Sequence, residues 1–332
     1  MKPRYIESKV VQQYRDHDAI AEPATIRHLD VAVATDSDQY NGEQTIHVSV
    51  AEVDNADRAL IVPVSWSDWG KRPFQEIRLS VMAKYLDIRV IGLDFPGMGD
   101  LPGGRRDELT EKQLEEAEKG RLRDLTSNYW QAIQQEQLLS SSSGDKMPVG
   151  LWGSSLSTLT VAEMAVSAPE DFQISDIYTS EIMGFERVKK LGFAVRFMTR
   201  GAKDLDIYQA MNTAAPEHDS GTMSGLVMQA LIQRQGHRAA LTALAKGQHK
   251  TIVRESFDSG RIDSNTALHI VSAENGLSSP SLVDSFVKTL NSNRPNNPIF
   301  EERLIGEFHG YQDSLPAVLD QVSALALYGR YN

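Results

Sequence analysis

The segment Gly150-Leu151-Trp152-Gly153-Ser154-Ser155-Leu156-Ser157 has the residue types and spacing for covalent chemistry. A short apolar stretch runs into G-S-S-L-S and then into the small residues Thr158-Leu159-Thr160-Val161-Ala162. This pattern predicts a strand, a tight turn and a helix. A serine at the apex of such a turn projects at the end of a sheet, beside the first N–H groups of the helix. Those N–H groups and the helix dipole favour negative charge developing nearby. Attack on an acyl carbon needs both a presented hydroxyl and donors for the oxyanion. By position, Ser155 is the nucleophile of a G-x-S-x-G pattern in which Ser157 takes the place of the second glycine. The structural alternative is a serine-rich helix N-cap served by Ser154 or Ser155.

Two further segments carry turn or proton-transfer signals. Val90-Ile91-Gly92-Leu93-Asp94-Phe95-Pro96-Gly97-Met98-Gly99-Asp100 is a strand that ends in D-x-P-G-x-G. It is not a dinucleotide fingerprint, because Pro102 occupies the place of a third glycine. Gly306-Glu307-Phe308-His309-Gly310-Tyr311 follows the last apolar run. Of the eight histidines, His47 and His269 sit inside strand patterns and read as structural. His218, His237 and His249 fall in a long helical stretch. There is no P-loop, and no His, Asp and Glu cluster has zinc spacing.

These residues need a scaffold, and its pattern is regular. Ile26–Ala34 and Thr45–Val53 alternate and are separated by turn residues, which predicts an antiparallel pair. Leu60–Val64, Ile88–Leu93, Val149–Trp152, Ile174–Thr179, Leu268–Val271 and Ile299–Ile305 are short apolar runs, as in a sheet covered on both faces. Helical patterns lie between them at Phe74–Leu86, at Thr110–Leu139 with a break at Gly120, at Ser157–Ser167 and at Pro316–Tyr328. The alternation predicts an α/β fold with a mostly parallel, doubly covered sheet. About 80 helical residues interrupt the rhythm, which assigns 184–260 as an inserted helical cap, 26–183 with 261–332 as the core, and 1–25 as a polar surface segment. The insert carries 11 Lys and Arg against 7 Asp and Glu, so the basic side of an acidic chain is concentrated there. Five of the ten methionines lie in it or at its edge, Met183 among them.

In order and spacing, the turn after the D-x-P-G-x-G strand, the serine elbow, the insert and the final His loop resemble the α/β-hydrolase family. The resemblance covers most of the chain and implies a serine hydrolase acting on an ester, thioester or related acyl bond, with no cofactor and no metal. It implies that His309, on the loop after the last strand, is the general base. The family order of Ser, acid, His leaves the acid open in this chain. The position that aligns with the usual acid, in Ser272-Ala273-Glu274-Asn275-Gly276, holds Asn275, which can orient an imidazole but cannot stabilise an imidazolium as a carboxylate does. Glu274, one residue earlier, and Glu181, at the end of the preceding strand, are equal alternatives. The oxyanion donors are expected to be the N–H of Leu156 and that of Ser65 or Trp66, in a loop that lacks the His-Gly of many relatives.

Composition bounds the rest. With 332 residues, 41% hydrophobic and 24% charged, the chain is long enough for a large core. A net charge of −11 argues against a general nucleic-acid binder, because phosphate contacts require Lys and Arg. No run is long and apolar enough to span a membrane. With no cysteine and no apolar leader, the expected location is cytoplasmic. The methionines suggest an adaptable apolar acyl pocket, and the basic insert an anionic substrate. Two other functions are consistent with the departures at Ser157, Asn275 and the oxyanion loop: a catalytically weak or inactive binding protein, and an acyltransferase on the same fold. The oligomeric state is not legible.

Overall fold

The structure is a computed structural model that describes residues 4–7, 24–36, 42–63, 73–98, 108–141, 144–185, 187, 189, 235–262, 264–293 and 296–308. Its centre is a nine-stranded sheet of β1 (Arg4–Glu7), β2 (Thr25–Ala34), β3 (Glu43–Glu52), β4 (Ala59–Pro63), β5 (Arg89–Leu93), β6 (Val149–Ser154), β7 (Ile174–Ser180), β8 (Ala267–Asn275) and β9 (Ile299–Phe308). The strand order is β1-β9-β8-β7-β6-β4-β5-β3-β2. Every neighbouring pair from β1 to β5 is parallel, and β3 pairs antiparallel with both β5 and β2. The expected antiparallel pair and the expected parallel runs are therefore all in the sheet. β1 is an addition: four residues within the stretch read as a surface segment form an edge strand beside β9.

Seven helices among the described residues complete the layers: α1 (Pro73–Leu86), α2 (Glu111–Glu118), α3 (Arg123–Gln135), α4 (Ser157–Ser167), α5 (Gln235–Ala245), α6 (His249–Asp258) and α7 (Pro280–Asn293). The central strands are apolar on both faces because both faces are covered. On one face Leu60, Val62, Val90 and Trp152 pack against Leu79, Met82 and Ala83 of α1. A Cβ on Gly92 would come within 2.7 Å of Leu79 Cδ1, so α1 seats on a bare strand position and any side chain there would make Leu79 shift. On the other face Ile61, Ile91, Leu151, Ile177 and Ile270 join one continuous core with Tyr129 and Ile133 of α3, Leu159 and Met164 of α4, Ile252 of α6 and Phe286 of α7. Gly120 breaks the helical run as expected, at φ +82° between α2 and α3.

Two of these helices fall within the stretch assigned as a cap. α6 packs on α4, and α5 packs on α2. Residues 235–258 thus contribute to the core layer, with Ala240, Leu244 and Ile252 buried in it. An ion-pair cluster locks α6 to the helix after the elbow. Glu163 of α4 is fully buried and receives the Arg121 guanidinium at 2.5 Å. Arg121 and Arg123 also reach Glu255 of α6 at 2.6 and 2.8 Å. Residues 191–234 and the final helical pattern, Pro316–Tyr328, lie outside the described residues. No helix among the described residues is long and apolar enough to cross a membrane.

Candidate active site

β6, β7, β8 and β9 are consecutive in the sheet and parallel, so their carboxyl ends share one edge. In an open parallel sheet that edge is where ligands bind. Ser155 follows the last residue of β6. Its φ is +52°, a left-handed conformation that costs a non-glycine residue of order 1–3 kcal/mol and persists only where the surroundings impose it. Here the surroundings do so from three sides. The Ser155 N–H donates to Ser180 O of β7 at 2.9 Å. The Thr158 Oγ1 donates to Ser155 O at 2.7 Å. Across the turn, a Cβ on Gly153 would lie 2.5 Å from Ser157 O, so residue 153 must be glycine for the helix to approach the strand this closely.

Ser157 is the departure from the glycine pattern, and it fits. Its hydroxyl accepts from Ser154 N at 2.8 Å and donates to Ser154 O at 2.9 Å, closing the turn from inside. It is buried. The side chain that replaces the second glycine therefore acts as a staple, a role no pentapeptide pattern reveals. Leu156, the expected oxyanion residue of the elbow, is buried at the start of α4.

Glu181 stands to β7 as Ser155 does to β6. It follows the last strand residue, has φ +54°, and donates its N–H to Val271 O of β8 at 2.9 Å. Its side chain is buried, with 2% of the residue exposed. Its Oε1 accepts from Ala273 N at 2.5 Å. A Cβ on Gly276 would fall 2.3 Å from Oε2 and 2.9 Å from Oε1, so the carboxylate lies against bare backbone. The loop after β8, where the resemblance expects an acid, thus forms the seat for a carboxylate from the neighbouring strand. Ser154 and Ser180 are in register, so the two left-handed residues follow paired positions on adjacent strands.

Glu274 and Asn275, the other two acid-position residues, end β8 with exposed side chains. Asn275 is in register with Phe308, the residue before His309. His309 itself lies outside the described residues, as do Ser65 and Trp66. The histidine–carboxylate pair inside the sheet is remote from this edge. His269 is sandwiched between the rings of Tyr178 and Phe300 at 4.2 and 4.9 Å, with its Nε2 3.5 Å from Asp176 Oδ1. Burial lowers the His269 pKa, against the pull of Asp176. Burial also works to raise Asp176, but the combined pull of His269, Ser175 and Arg58 outweighs it and holds the carboxyl below its usual range. Asp176 is the third residue of β7, whereas Glu181 follows its end.

The turn after β5 is built as a shaped corner. Met98 N donates to Phe95 O at 3.2 Å, Gly97 has φ +74°, and the Tyr129 hydroxyl donates to Asp94 O at 3.0 Å. The first turn of α5 docks on it, with a Cβ on Gly236 only 2.3 Å from Pro96 O. One neighbour of Ser155 is not singled out as such by sequence. Met183, read there as the edge of the insert, has its Sδ 3.1 Å from Ser155 Oγ. Its proximity to the methionine-rich insert was the visible signal; the contact needs the turn at Glu181.

No protein-family model and no curated protein matches the chain. Solved structures do, and they identify the architecture as the α/β-hydrolase fold. DcsB, in complex with its substrate analogue, superposes with a TM-score of 0.54 at 15% identity, over 93% of this chain and 99% of that one. Haloalkane dehalogenase DbeA from Bradyrhizobium elkani USDA94 superposes with a TM-score of 0.52 at 12% identity, over 92% of this chain and 98% of that one. Carboxylesterase CesB (YbfK) from Bacillus subtilis gives a TM-score of 0.50 at 12% identity, over 97% of this chain and 98% of that one.

Proposed function

We propose that this protein is a serine hydrolase of an ester, thioester or related acyl bond. The observation that carries the reading is the pairing of Ser155 and Glu181: two left-handed residues past the ends of adjacent strands, the second a buried carboxylate seated on the loop next to the strand that leads to His309. In this reading Ser155 Oγ attacks the acyl carbon while His309 takes its proton, then returns it to the leaving group. Glu181 holds the imidazole and stabilises its charged form. The N–H of Leu156, with that of Ser65 or Trp66, receives the oxyanion. Water then attacks the acyl-enzyme with His309 again as base. In this reading Glu274 and Asn275 take no part: both are exposed at the end of β8, whereas Glu181 is buried.

The non-catalytic alternative rests on the departures at Ser157, at Asn275 and in the oxyanion loop, whose Ser65 and Trp66 lie outside the described residues. Ser157 closes the turn without disturbing Ser155, and Glu181 supplies a carboxylate that does not depend on residue 275. An acyltransferase would use the same residues and differ only in the acceptor. The positive balance of 184–260 favours an anionic acyl substrate, in which case kcat/KM falls as salt screens the attraction.

A fluorophosphonate probe tests the reading, since it requires an activated serine and little substrate specificity. Peptide mapping is expected to place the label on Ser155 in the wild type and to find none in Ser155→Ala or His309→Ala. Folded wild-type protein that stays unlabelled would refute it. Product analysis with water alone and with an added alcohol separates hydrolysis from transfer.

A further inference from the structure

We propose that Met183 selects the acyl group: its side chain is the wall of the acyl pocket nearest the nucleophile, and it favours short acyl chains. The inference rests on the reading of Ser155 as the nucleophile. Ser155 Oγ donates to Met183 Sδ at 3.1 Å, in contact, so nothing fits between them. The acyl carbon of a substrate bonds directly to Oγ, and the first atoms of its chain must then lie against the thioether or displace it.

The backbone of Met183 cannot retreat to make that room. Its N–H donates to Thr158 Oγ1 at 3.4 Å, and the same hydroxyl donates to Ser155 O at 2.7 Å, so one threonine ties the methionine to the elbow. On either side, Ile182 O accepts the Ser278 hydroxyl, and Gly184 O accepts from His249 N at 3.2 Å. Met183 is 4% exposed. What can move is the side chain, which is unbranched with three rotatable bonds and a polarisable sulfur. A fixed backbone with an adaptable side chain gives a wall that yields to the first one or two carbons of a chain at small cost and resists more as the chain lengthens. The sulfur is a weak acceptor, so the hydroxyl proton leaves it readily when the base engages. Met183 therefore acts on the acyl group more than on the nucleophile.

The test compares wild type, Met183→Ala and Met183→Leu on p-nitrophenyl acetate, butyrate and octanoate. The readout is the ratio of kcat/KM for octanoate to that for acetate within each variant, which cancels any change in the reactivity of Ser155. Removing the wall is expected to raise that ratio about tenfold or more, the scale on which a few methylenes discriminate in an apolar pocket. Leucine conserves volume, which cores tolerate well, but adds a branch near the nucleophile and is expected to lower the ratio about threefold. Ratios within twofold of wild type in both variants, in protein that still labels at Ser155, would overturn the assignment of Met183. Absence of labelling at Ser155 in the wild type would instead remove the nucleophile reading, and this proposal with it.

Discussion

Gly276→Ala separates the function of the Glu181 seat from the stability of the fold. The new methyl would lie 2.3 Å from Oε2, 2.9 Å from Oε1 and 3.0 Å from Cδ of Glu181, where ordinary contacts begin near 3.4 Å. The carboxylate must retreat by about an ångström, and it can, because it is the far end of a side chain. Gly276 is not among the glycines held at positive φ, so alanine suits the backbone and even lowers the entropy of the unfolded chain. The buried carboxylate is overpacked and its bond from Ala273 N loosened, so stability should fall by about 1–3 kcal/mol, a shift of a few degrees in Tm that leaves the protein folded. Activity should not survive so well. An ångström of misplacement in a reacting constellation costs on the order of 10²-fold, and loss of the triad carboxylate costs about 10⁴-fold. We expect Gly276→Ala to reduce kcat/KM for a p-nitrophenyl ester about 10²-fold and Glu181→Gln about 10⁴-fold. The double variant should be no worse than Glu181→Gln alone, because both changes act on one interaction. Thermal melts and ester kinetics on the four proteins decide the matter. Near wild-type turnover in folded Gly276→Ala, or losses that multiply in the double variant, would refute the assignment of Glu181 as the acid.

Three other outcomes follow from the same geometry. Glu274→Gln and Asn275→Ala should each change kcat/KM less than about threefold, since both side chains are exposed at the end of β8; a loss like that expected for Glu181→Gln would return the acid to this loop. Ser157→Ala removes both hydrogen bonds that close the elbow and leaves the Ser154 N–H buried, so urea titration should show a loss of about 1–3 kcal/mol. His249 is enclosed beside Phe185 and Phe286, and burial lowers its pKa from 6.5 to about 3. The unfolded chain then binds a proton between those values that the folded chain does not, so stability falls as pH drops from about 6.5 towards 3; His249→Leu should reduce the loss between pH 6.5 and 4.5 by about 2–3 kcal/mol in urea melts, and an unchanged slope would refute the assignment.

How much of this is legible in sequence depends on how local each requirement is. The strands of the parallel sheet announce themselves because burial on both faces demands an unbroken apolar run, as in Leu60-Ile61-Val62. β1 does not, because Arg4-Tyr5-Ile6-Glu7 is an edge segment too short to show alternation. The elbow is legible for the same reason as the strands: its constraint on Gly153 comes from residues four and five places along, Ser157 and Thr158. The same closeness explains why a serine can replace the second glycine, since Ser157 faces the Ser154 backbone and bonds to it. The acid is a different kind of problem. Glu181 is set apart from other loop carboxylates by Val271, Ala273 and Gly276, about 90 residues further along. Those contacts exist because β7 and β8 are neighbours in the sheet, which is a property of topology and not of any short pattern. Asn275 sits where the usual acid is expected and Gly276 beside it looks like an ordinary turn glycine. In the folded chain that glycine is bare because a carboxylate occupies the space a side chain would need. On the proposed reading, the asparagine at the usual acid position, the unstrained glycine after it and the glutamate one residue past the preceding strand together mark an acid moved one strand over.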